Sequence, residues 1–320
     1  MHPRTNKLSY ILLTLALSTV LILSGCGKTS GVQLEEGKIN IVTTFYPLYY
    51  FAGAIGGDHA HVINLVPAGV EPHEWSPKSR DLVAMTKAEL FVYNGAGFEG
   101  WVDDFLASKK SGSKQVVIEA SAGIPLIHAG EEGAADNKDD HGHEQESGVD
   151  PHVWVSPKSA LHMAESIKNG LIQADAAHKT DYEANYGKLA QQLSALDAQF
   201  KEKLSKVSKK EIIVSHQAFG YLARDYGLTQ MPIMGLSPDA EPTAKAMKEI
   251  NQFIREHQVK VIFFEELVSD KLAKTLAEDA KIETEVLNPL EGLTDAQIKA
   301  GDNYVTVMES NLQKLLKALQ

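Results

Sequence analysis

One stretch at positions 179–207 constrains the fold more than any other part of the sequence. It is rich in Ala, Leu, Lys and Glu, and its large apolar residues recur every three or four positions, as on one face of an α-helix. A helix of this length would span about 43 Å, enough to run along two domains, so we expect it to connect them. The apolar face comprises Tyr186, Leu189, Leu193, Leu196, Phe200 and Leu204.

Short apolar and β-branched runs alternate with helical segments on both sides of this stretch. Such alternation predicts an α/β fold in which mostly parallel sheets are flanked by helices. The predicted strands lie at 38–45, 61–66, 89–93, 115–119, 211–215, 230–234, 260–264 and 284–287, and the predicted helices at 78–87, 157–174, 219–226, 242–257 and 304–319.

The chain of 320 residues exceeds the usual size of a single domain. We therefore expect two lobes, each with a mostly parallel sheet, bridged by the long helix. The predicted boundaries are 38–177 for the N-terminal α/β lobe, 178–208 for the linker helix and 209–320 for the C-terminal α/β lobe.

The N-terminus has the pattern of an export signal. Arg4 and Lys7 precede an almost uncharged, Leu-rich run at 10–23, which is shorter than the roughly 20 residues of a membrane-spanning helix. The run ends in Leu-Ser-Gly followed by Cys26, and this motif resembles the lipobox of bacterial lipoproteins. We predict a lipoprotein signal peptide at 1–25, followed by a lipidated (palmitate-bearing) cysteine and a polar tether at 26–37. Cys26 is the single cysteine of the chain, so an internal disulfide is excluded.

Charge argues against a nucleic-acid partner. The formal net charge is −11, and no cluster of Lys and Arg resembles a phosphate-binding face. Many of the carboxylates fall at 128–150, a segment rich in Gly, Asp, Glu and His that has almost no residue able to anchor a core. We expect this segment to be a loop.

Three histidines and one glutamate follow predicted strands or adjoin proline turns. His73 lies in GVEPHEW, His152 in DPHVW, His216 directly after IIVS, and Glu291 in LNPLEG. In open α/β sheets the functional crevice lies beyond the carboxyl ends of the strands, where such residues would meet. Their wide spacing alone is weak evidence, because a lone histidine in a loop is most often a surface residue or a hydrogen-bonded one.

These motifs, in this order, resemble the zinc- and manganese-binding cluster of solute-binding lipoproteins that serve ABC importers. The resemblance covers essentially the whole mature chain, from the first strand through GVEPHEWSP, DPHVWVSP, IVSHQAFGYLARDYG and LNPLEGLT to the last helix. It implies two α/β lobes bridged by one long helix, with a metal in the cleft between them. It also implies metal-ligand roles for His73, His152, His216 and Glu291.

The resemblance further implies that the protein binds and delivers a metal and is not an enzyme. Its partners would be an ABC permease and its ATPase, with the membrane reached through the lipid on Cys26, and we expect a monomer. The anchor would place it outside the cytoplasm on the outer face of the cytoplasmic membrane, at the cell surface in a Gram-positive bacterium.

Three imidazoles and one carboxylate form a nitrogen-rich set that suits Zn²⁺. Manganese prefers more oxygen ligands, and family members that resemble manganese binders tend to replace the third histidine by glutamate and to use aspartate last. His216 and Glu291 therefore favour Zn²⁺ as the transported ligand, and a manganese-binding member of the same family is the alternative.

Histidines in the acidic loop indicate a second, looser kind of metal contact. His128, His141 and His143 would collect metal weakly, because a flexible segment does not hold ligands in fixed geometry; this loop resembles the His-rich loop of zinc-specific family members. The alternative is a solvated acidic insertion with incidental histidines.

Several other residues rank below these. Glu265 and Glu266 end a predicted strand, and we expect them to be solvated there. Glu71 and Glu74 flank a predicted ligand and are candidates for orienting it, since metal-bound imidazoles usually need a hydrogen-bonding partner. Trp154, like the other two tryptophans, is expected to serve packing.

Two rival functions use the same residues. A zinc hydrolase needs an open coordination position for water; the chain lacks a His-Glu-x-x-His helix, and Glu291 would fill that position. A surface adhesin would use the anchor for display and the metal for stability. Several lipoproteins of the family resemble dual-role molecules, so the sequence leaves this alternative open.

Overall fold

The computed structural model describes residues 34–110, 112–128, 148–239 and 242–320. The eight strands in these ranges form two separate four-stranded sheets, and every strand pair is parallel. The strand orders are β2-β1-β3-β4 and β6-β5-β7-β8. The strands are β1 Ile39–Thr43, β2 Ala60–Asn64, β3 Leu90–Tyr93, β4 Val116–Glu119, β5 Glu211–Val214, β6 Thr229–Pro232, β7 Val261–Phe264 and β8 Glu283–Val286.

Helices flank both sheets, which confirms the predicted fold class of two parallel α/β lobes and one long helix. The α-helices of the described residues are α1 Tyr46–Gly56, α2 Ser79–Lys87, α3 Val102–Ser108, α4 Pro157–Ala174, α5 Lys179–Leu204, α6 Gly220–Tyr226, α7 Ala244–His257, α8 Lys271–Ala280, α9 Asp295–Ala300 and α10 Tyr304–Ala318.

Helix α5 is the long helix predicted from the sequence, with 26 residues. It packs against α1 and α4 of the N-terminal half and against α6 and α10 of the C-terminal half. The predicted apolar face is buried from Leu189 to Leu204, whereas Tyr186 is only partly buried. The helix ends at Leu204, three residues before the predicted boundary of 207, and a turn begins at Ser205.

Side chains of the second sheet alternate between two apolar cores. Ile212 and Val214 of β5 belong to the large core that also holds the N-terminal sheet and α5. Ile213, between them, points into a smaller core with Ile250 of α7 and Leu276 of α8. This period of two is the expected geometry of a strand covered on both faces, so the C-terminal sheet is an interior layer.

Four helices of the described residues, α1, α3, α8 and α9, were not predicted. Helix α1 is apolar almost all round and contains two glycines, so it has no clear amphipathic period. Helix α3 is seven residues long, and α8 lies in a segment left without an assignment. Helices α1, α3 and α8 occupy crossovers that a parallel sheet requires, whereas the six-residue helix α9 follows the last strand.

Parallel strands place their carboxyl ends along one edge of each sheet. In both sheets the order reverses between two neighbouring central strands, β1 and β3 in one and β5 and β7 in the other. Loops that leave these ends diverge and open a crevice. The loops that carry the four predicted ligands all leave a sheet at this edge.

The predicted signal peptide, Cys26, His141 and His143 lie outside the described residues. Within the described ranges, no helix combines the length and the apolar character needed to cross a membrane.

Candidate metal centre

The four predicted ligands come from different loops and meet at one point. His216 lies two residues beyond β5, and Glu291 five residues beyond β8. His73 lies in the loop between β2 and α2, and His152 immediately precedes a short 3₁₀ turn at Val153–Val155. Each lobe thus supplies two of the four side chains, and the donor atoms all lie within 4.8 Å of one another.

Five of the six distances between these donor atoms are short and nearly equal. Oε1 of Glu291 lies 3.3 Å from Nε2 of His73, 3.4 Å from Nε2 of His152 and 3.3 Å from Nε2 of His216. Nε2 of His152 lies 3.2 Å from that of His73 and 3.3 Å from that of His216. The donor atoms of His73 and His216 lie within 4.8 Å of each other. Separations of about 3.3 Å are those between neighbouring ligands of a tetrahedral zinc ion with bonds of about 2.0 Å.

Two buried carboxylates fix the tautomers of two of these imidazoles. Nδ1 of His152 donates to Oδ1 of Asp150 at 2.8 Å, and Nδ1 of His216 donates to Oε1 of Glu265 at 2.7 Å. A hydrogen on Nδ1 leaves the lone pair of Nε2 directed at the centre of the four donors. This arrangement of carboxylate, imidazole and metal is characteristic of protein metal sites.

His73 is held differently. Its backbone N–H donates to Oε1 of Glu71 at 2.8 Å, and its ring packs edge-on against Phe98 with centroids 5.0 Å apart. Glu71 therefore fixes the loop that carries His73 through the main chain and not through the imidazole. Glu74 is exposed, and its backbone N–H points to the same Glu71 carboxylate.

Burial and charge have opposite effects on the ionisation of the site. Burial alone would lower the pKa of His216, but attraction to Glu265 and Glu291 outweighs it and holds the pKa well above the ordinary value. The pKa of His152 is also raised: burial lowers it, but hydrogen bonds to Asp150 and Glu291 prevail. Burial would raise the pKa of Glu291, yet the neighbouring histidines hold it well below its usual range. In the metal-free protein the site therefore favours an ionised Glu291 and protonated His152 and His216.

The expectation that Glu265 is solvated was wrong. Its side chain is 3% exposed, and it accepts bonds from both the ring and the backbone N–H of His216. The signal that could have indicated this contact is the position of Glu265 directly after β7, the strand that pairs with β5 and so ends beside His216. Glu266, by contrast, is exposed and accepts a hydrogen bond from Asn288.

Sequence reasoning also missed Asp150. It lies two residues before His152, and its Oδ1 accepts hydrogen bonds from both the ring and the backbone N–H of that residue. The Asp-Pro-His sequence was the available signal, because an aspartate two residues before a histidine can bond to its backbone in a turn.

His128 lies apart from the four donors. It is exposed and forms an isolated antiparallel bridge with Val149, so the two ends of the acidic segment lie side by side. Among the described residues, the group of side chains that could hold a metal ion consists of His73, His152, His216 and Glu291 and does not include His128.

Comparison with known proteins identifies the family. A sequence model described as "Zinc-uptake complex component A periplasmic" matches residues 41–318, which is most of the chain. The chain belongs to this zinc-uptake component A family. The match runs from β1 to the end of α10 and includes all four loops of the centre, so the family resemblance seen in the sequence is confirmed.

Relatives in this family are similar along most of the chain. A zinc-binding lipoprotein of Streptococcus pneumoniae, AdcA, is 41% identical over 306 residues, covering 95% of this chain and 60% of the relative. The high-affinity zinc uptake system protein ZnuA of Bacillus subtilis is 41% identical over 303 residues, covering 93% and 94%. The chain thus spans only about 60% of the length of the streptococcal relative.

Solved structures of similar proteins have the same fold. The Zn(II)-bound ZnuA-like domain of S. pneumoniae AdcA has a TM-score of 0.75 at 39% identity, covering 88% of this chain and 99% of that one. The laminin-binding protein Lmb of Streptococcus agalactiae, described as bifunctional in adhesion and metal transport, has a TM-score of 0.76 at 30% identity, covering 88% and 100%.

Proposed function

We propose that the protein captures Zn²⁺ between its two lobes and delivers it to an ABC-type importer. The ligands would be His73, His152, His216 and Glu291, two from each lobe. The observation that supports this most strongly is the close group of three Nε2 atoms and one carboxylate oxygen, in which five of the six separations are 3.2–3.4 Å. Separations of this size match those between the ligands of a four-coordinate zinc ion.

The donor set also favours zinc over manganese. Manganese sites are commonly octahedral and rich in oxygen, whereas this centre has four donors of which three are imidazole nitrogens. AdcA of S. pneumoniae and ZnuA of B. subtilis are both named for zinc. A manganese-binding role would require further oxygen ligands.

A hydrolase is the weaker alternative because the fourth position is already filled. Catalytic zinc sites keep one position open for water. Here Oε1 of Glu291 lies at nearly equal distances from all three Nε2 atoms, so it completes the set of four donors. The centre is therefore built to hold a metal.

Adhesion is a second candidate function, favoured by the similarity to the laminin-binding protein Lmb. It would accompany metal transport, as in the bifunctional Lmb. Binding of the metal-loaded and metal-free protein to immobilised laminin, with albumin as the control surface, would test it.

Location and assembly follow from the same proposal. We propose that Cys26 becomes the lipidated (palmitate-bearing) N-terminus and anchors the protein to the outer face of the cytoplasmic membrane. There, as a monomer, it would meet the permease and its ATPase. The division into lobes at 38–177 and 209–320 with a linker at 178–208 is part of this proposal.

The acidic segment at 128–150 would collect metal ions but would not bind them tightly. His128, His141 and His143 would contact metal transiently before it reaches the centre. Deletion of residues 129–147 should therefore leave tight 1:1 zinc binding intact, because the four donors lie outside the deleted segment. Calorimetry that showed loss of the tight site in this variant would contradict the assignment.

The direct test of zinc capture compares the wild-type mature protein with His216→Ala. We expect one zinc per chain in the wild type and at most a small fraction in the variant after dialysis, measured by elemental analysis. His162→Ala is the matched control, because this exposed histidine bonds to a backbone carbonyl away from the centre. Equal zinc content in all three proteins would refute the ligand set.

A further inference from the structure

The indole of Trp154 connects one ligand-bearing segment of each lobe, the segment with His152 and the segment with Glu291. Its Nε1–H donates to the carbonyl oxygen of Pro289 at 2.7 Å. Trp154 lies two residues after His152, and Pro289 lies two residues before Glu291. The backbone carbonyl of Trp154 in turn accepts a hydrogen bond from Tyr304 of α10 at 2.6 Å. One side chain thus connects a ligand of the N-terminal lobe to a ligand of the C-terminal lobe.

The backbone immediately before Glu291 has an unfavourable conformation, which neighbouring contacts must hold in place. Leu290 has a φ of 62°, in the left-handed region that residues with a Cβ rarely adopt, and it is fully buried. Its N–H donates to Oδ1 of Asn288 at 2.6 Å, and Asn288 is fixed by hydrogen bonds to Asn311. The bond from Trp154 restrains the Pro289 carbonyl, which belongs to the same peptide unit as the N–H of Leu290.

We propose that Trp154 is a positioning residue that sets the direction of the Glu291 carboxylate. The proposal rests on the zinc-binding function proposed above. The peptide between Pro289 and Leu290 is held at one end by the indole and at the other by Asn288. Rotation of this peptide would turn the following residue, so fixing it keeps Oε1 of Glu291 beside the three Nε2 atoms.

Packing alone does not account for the indole bond. The ring of Trp154 contacts Phe45 and Phe98 with centroids 4.5 and 4.9 Å apart, and it lies 5.2 Å from the ring of His152. A phenylalanine at position 154 would retain an aromatic ring among these neighbours but would lack the N–H. The Pro289 carbonyl, which is buried with Trp154, would then lose its donor, and a buried carbonyl without a partner favours a shifted backbone.

A double-mutant cycle separates positioning of Glu291 from a general loss of packing. Zinc dissociation constants are measured by competition with a chelator for the wild type, Trp154→Phe, Glu291→Ala and the double variant. We expect Trp154→Phe to weaken zinc binding about fivefold to tenfold when Glu291 is present, the effect of about one buried hydrogen bond. In the Glu291→Ala background, the same change should have an effect of less than about twofold.

Trp101→Phe is the matched control. Trp101 is partly buried and packs against Trp75 and Phe91 away from the four donors, so its replacement should leave zinc affinity unchanged in both backgrounds. If Trp154→Phe does not fold, Trp154→Met is the second variant for the same cycle, because its flexible apolar side chain can fill the site but also lacks the N–H that Pro289 accepts.

The outcomes distinguish this inference from the proposed function. Equal weakening by Trp154→Phe with and without Glu291 would overturn the positioning role, as would the absence of any effect on the wild-type background. Failure of the wild type itself to bind zinc would overturn the proposed function. A loss confined to proteins that retain Glu291 would support both.

Discussion

Removing the carboxylate of Glu265 should weaken zinc binding without touching a ligand. Oε1 of Glu265 accepts two hydrogen bonds from His216, from ring Nδ1 at 2.7 Å and from the backbone N–H at 3.3 Å. Glu265→Ala deletes both, and it leaves a buried imidazole free to rotate or to change tautomer. Loss of such a partner usually costs 10- to 100-fold in metal affinity, or about 1.4–2.7 kcal/mol.

Glu265→Gln should have a smaller effect. The amide oxygen can still accept the hydrogen from Nδ1, so the tautomer is retained and only the negative charge is lost. We expect a loss of about tenfold or less for this variant. The order of affinity should therefore be wild type, then Glu265→Gln, then Glu265→Ala.

Glu265→Ala should also change how the zinc affinity depends on pH. Glu265 is one of the charges that hold the pKa of His216 above its ordinary value, so its removal lowers that pKa and weakens proton competition. The affinity loss of Glu265→Ala should consequently be largest at about pH 8.5, where the wild-type site carries fewer protons, and smaller near pH 6.

Competition against a chelator at three pH values measures all of these effects. Glu278→Gln is the matched control, because Glu278 is an exposed carboxylate on α8 in the same lobe, and it should bind zinc like the wild type. Thermal unfolding of the metal-free variants checks that they are folded. Affinity of Glu265→Ala within twofold of wild type at pH 8.5 would refute the role assigned to this carboxylate.

Three further predictions follow from the site and the core. Because the pKa values of His216 and His152 are raised in the metal-free protein, zinc binding near pH 7 should release at least one proton. Calorimetry in two buffers of different ionisation enthalpy measures this release, and a zero difference would contradict the assigned protonation. The raised pKa of His216 stabilises the metal-free fold at pH values below about 6.5, the pKa of histidine in the unfolded chain, and this stabilisation is lost as pH rises through the folded pKa. The free energy of unfolding of the wild type should therefore decline above about pH 6.5, and His216→Gln should make this decline smaller. Phe200→Ala on the buried face of α5 should cost about 3–5 kcal/mol in urea unfolding, whereas Lys201→Ala on its exposed face should cost little; similar costs would contradict the assigned face.

Much of the fold could be predicted because its elements carry local patterns. The period of the apolar residues from Leu189 to Leu204 indicated a long helix, and the β-branched runs marked the strands. Helix α1 could not be predicted in this way, since its buried residues include Phe51 and Ile55 but its sequence is apolar on nearly every face. Its helical state depends on packing against α5 and the first sheet, which a local pattern does not contain.

The candidate ligands could be named from motif and position, but the carboxylates behind them could not be ranked. Glu265 and Glu266 are adjacent and chemically alike, yet one is buried against His216 and the other is exposed. Only the pairing of β7 with β5 decides which of them reaches the imidazole. The role of Trp154 likewise depends on a contact between positions 135 residues apart.

The most direct test of the proposed ligand set is a crystal structure of the mature protein grown with zinc, with diffraction recorded on both sides of the zinc absorption edge. We expect one strong anomalous peak about 2.0 Å from Nε2 of His73, His152 and His216 and from a carboxylate oxygen of Glu291. A peak at other side chains, or none between these four at full zinc occupancy in solution, would contradict this ligand set.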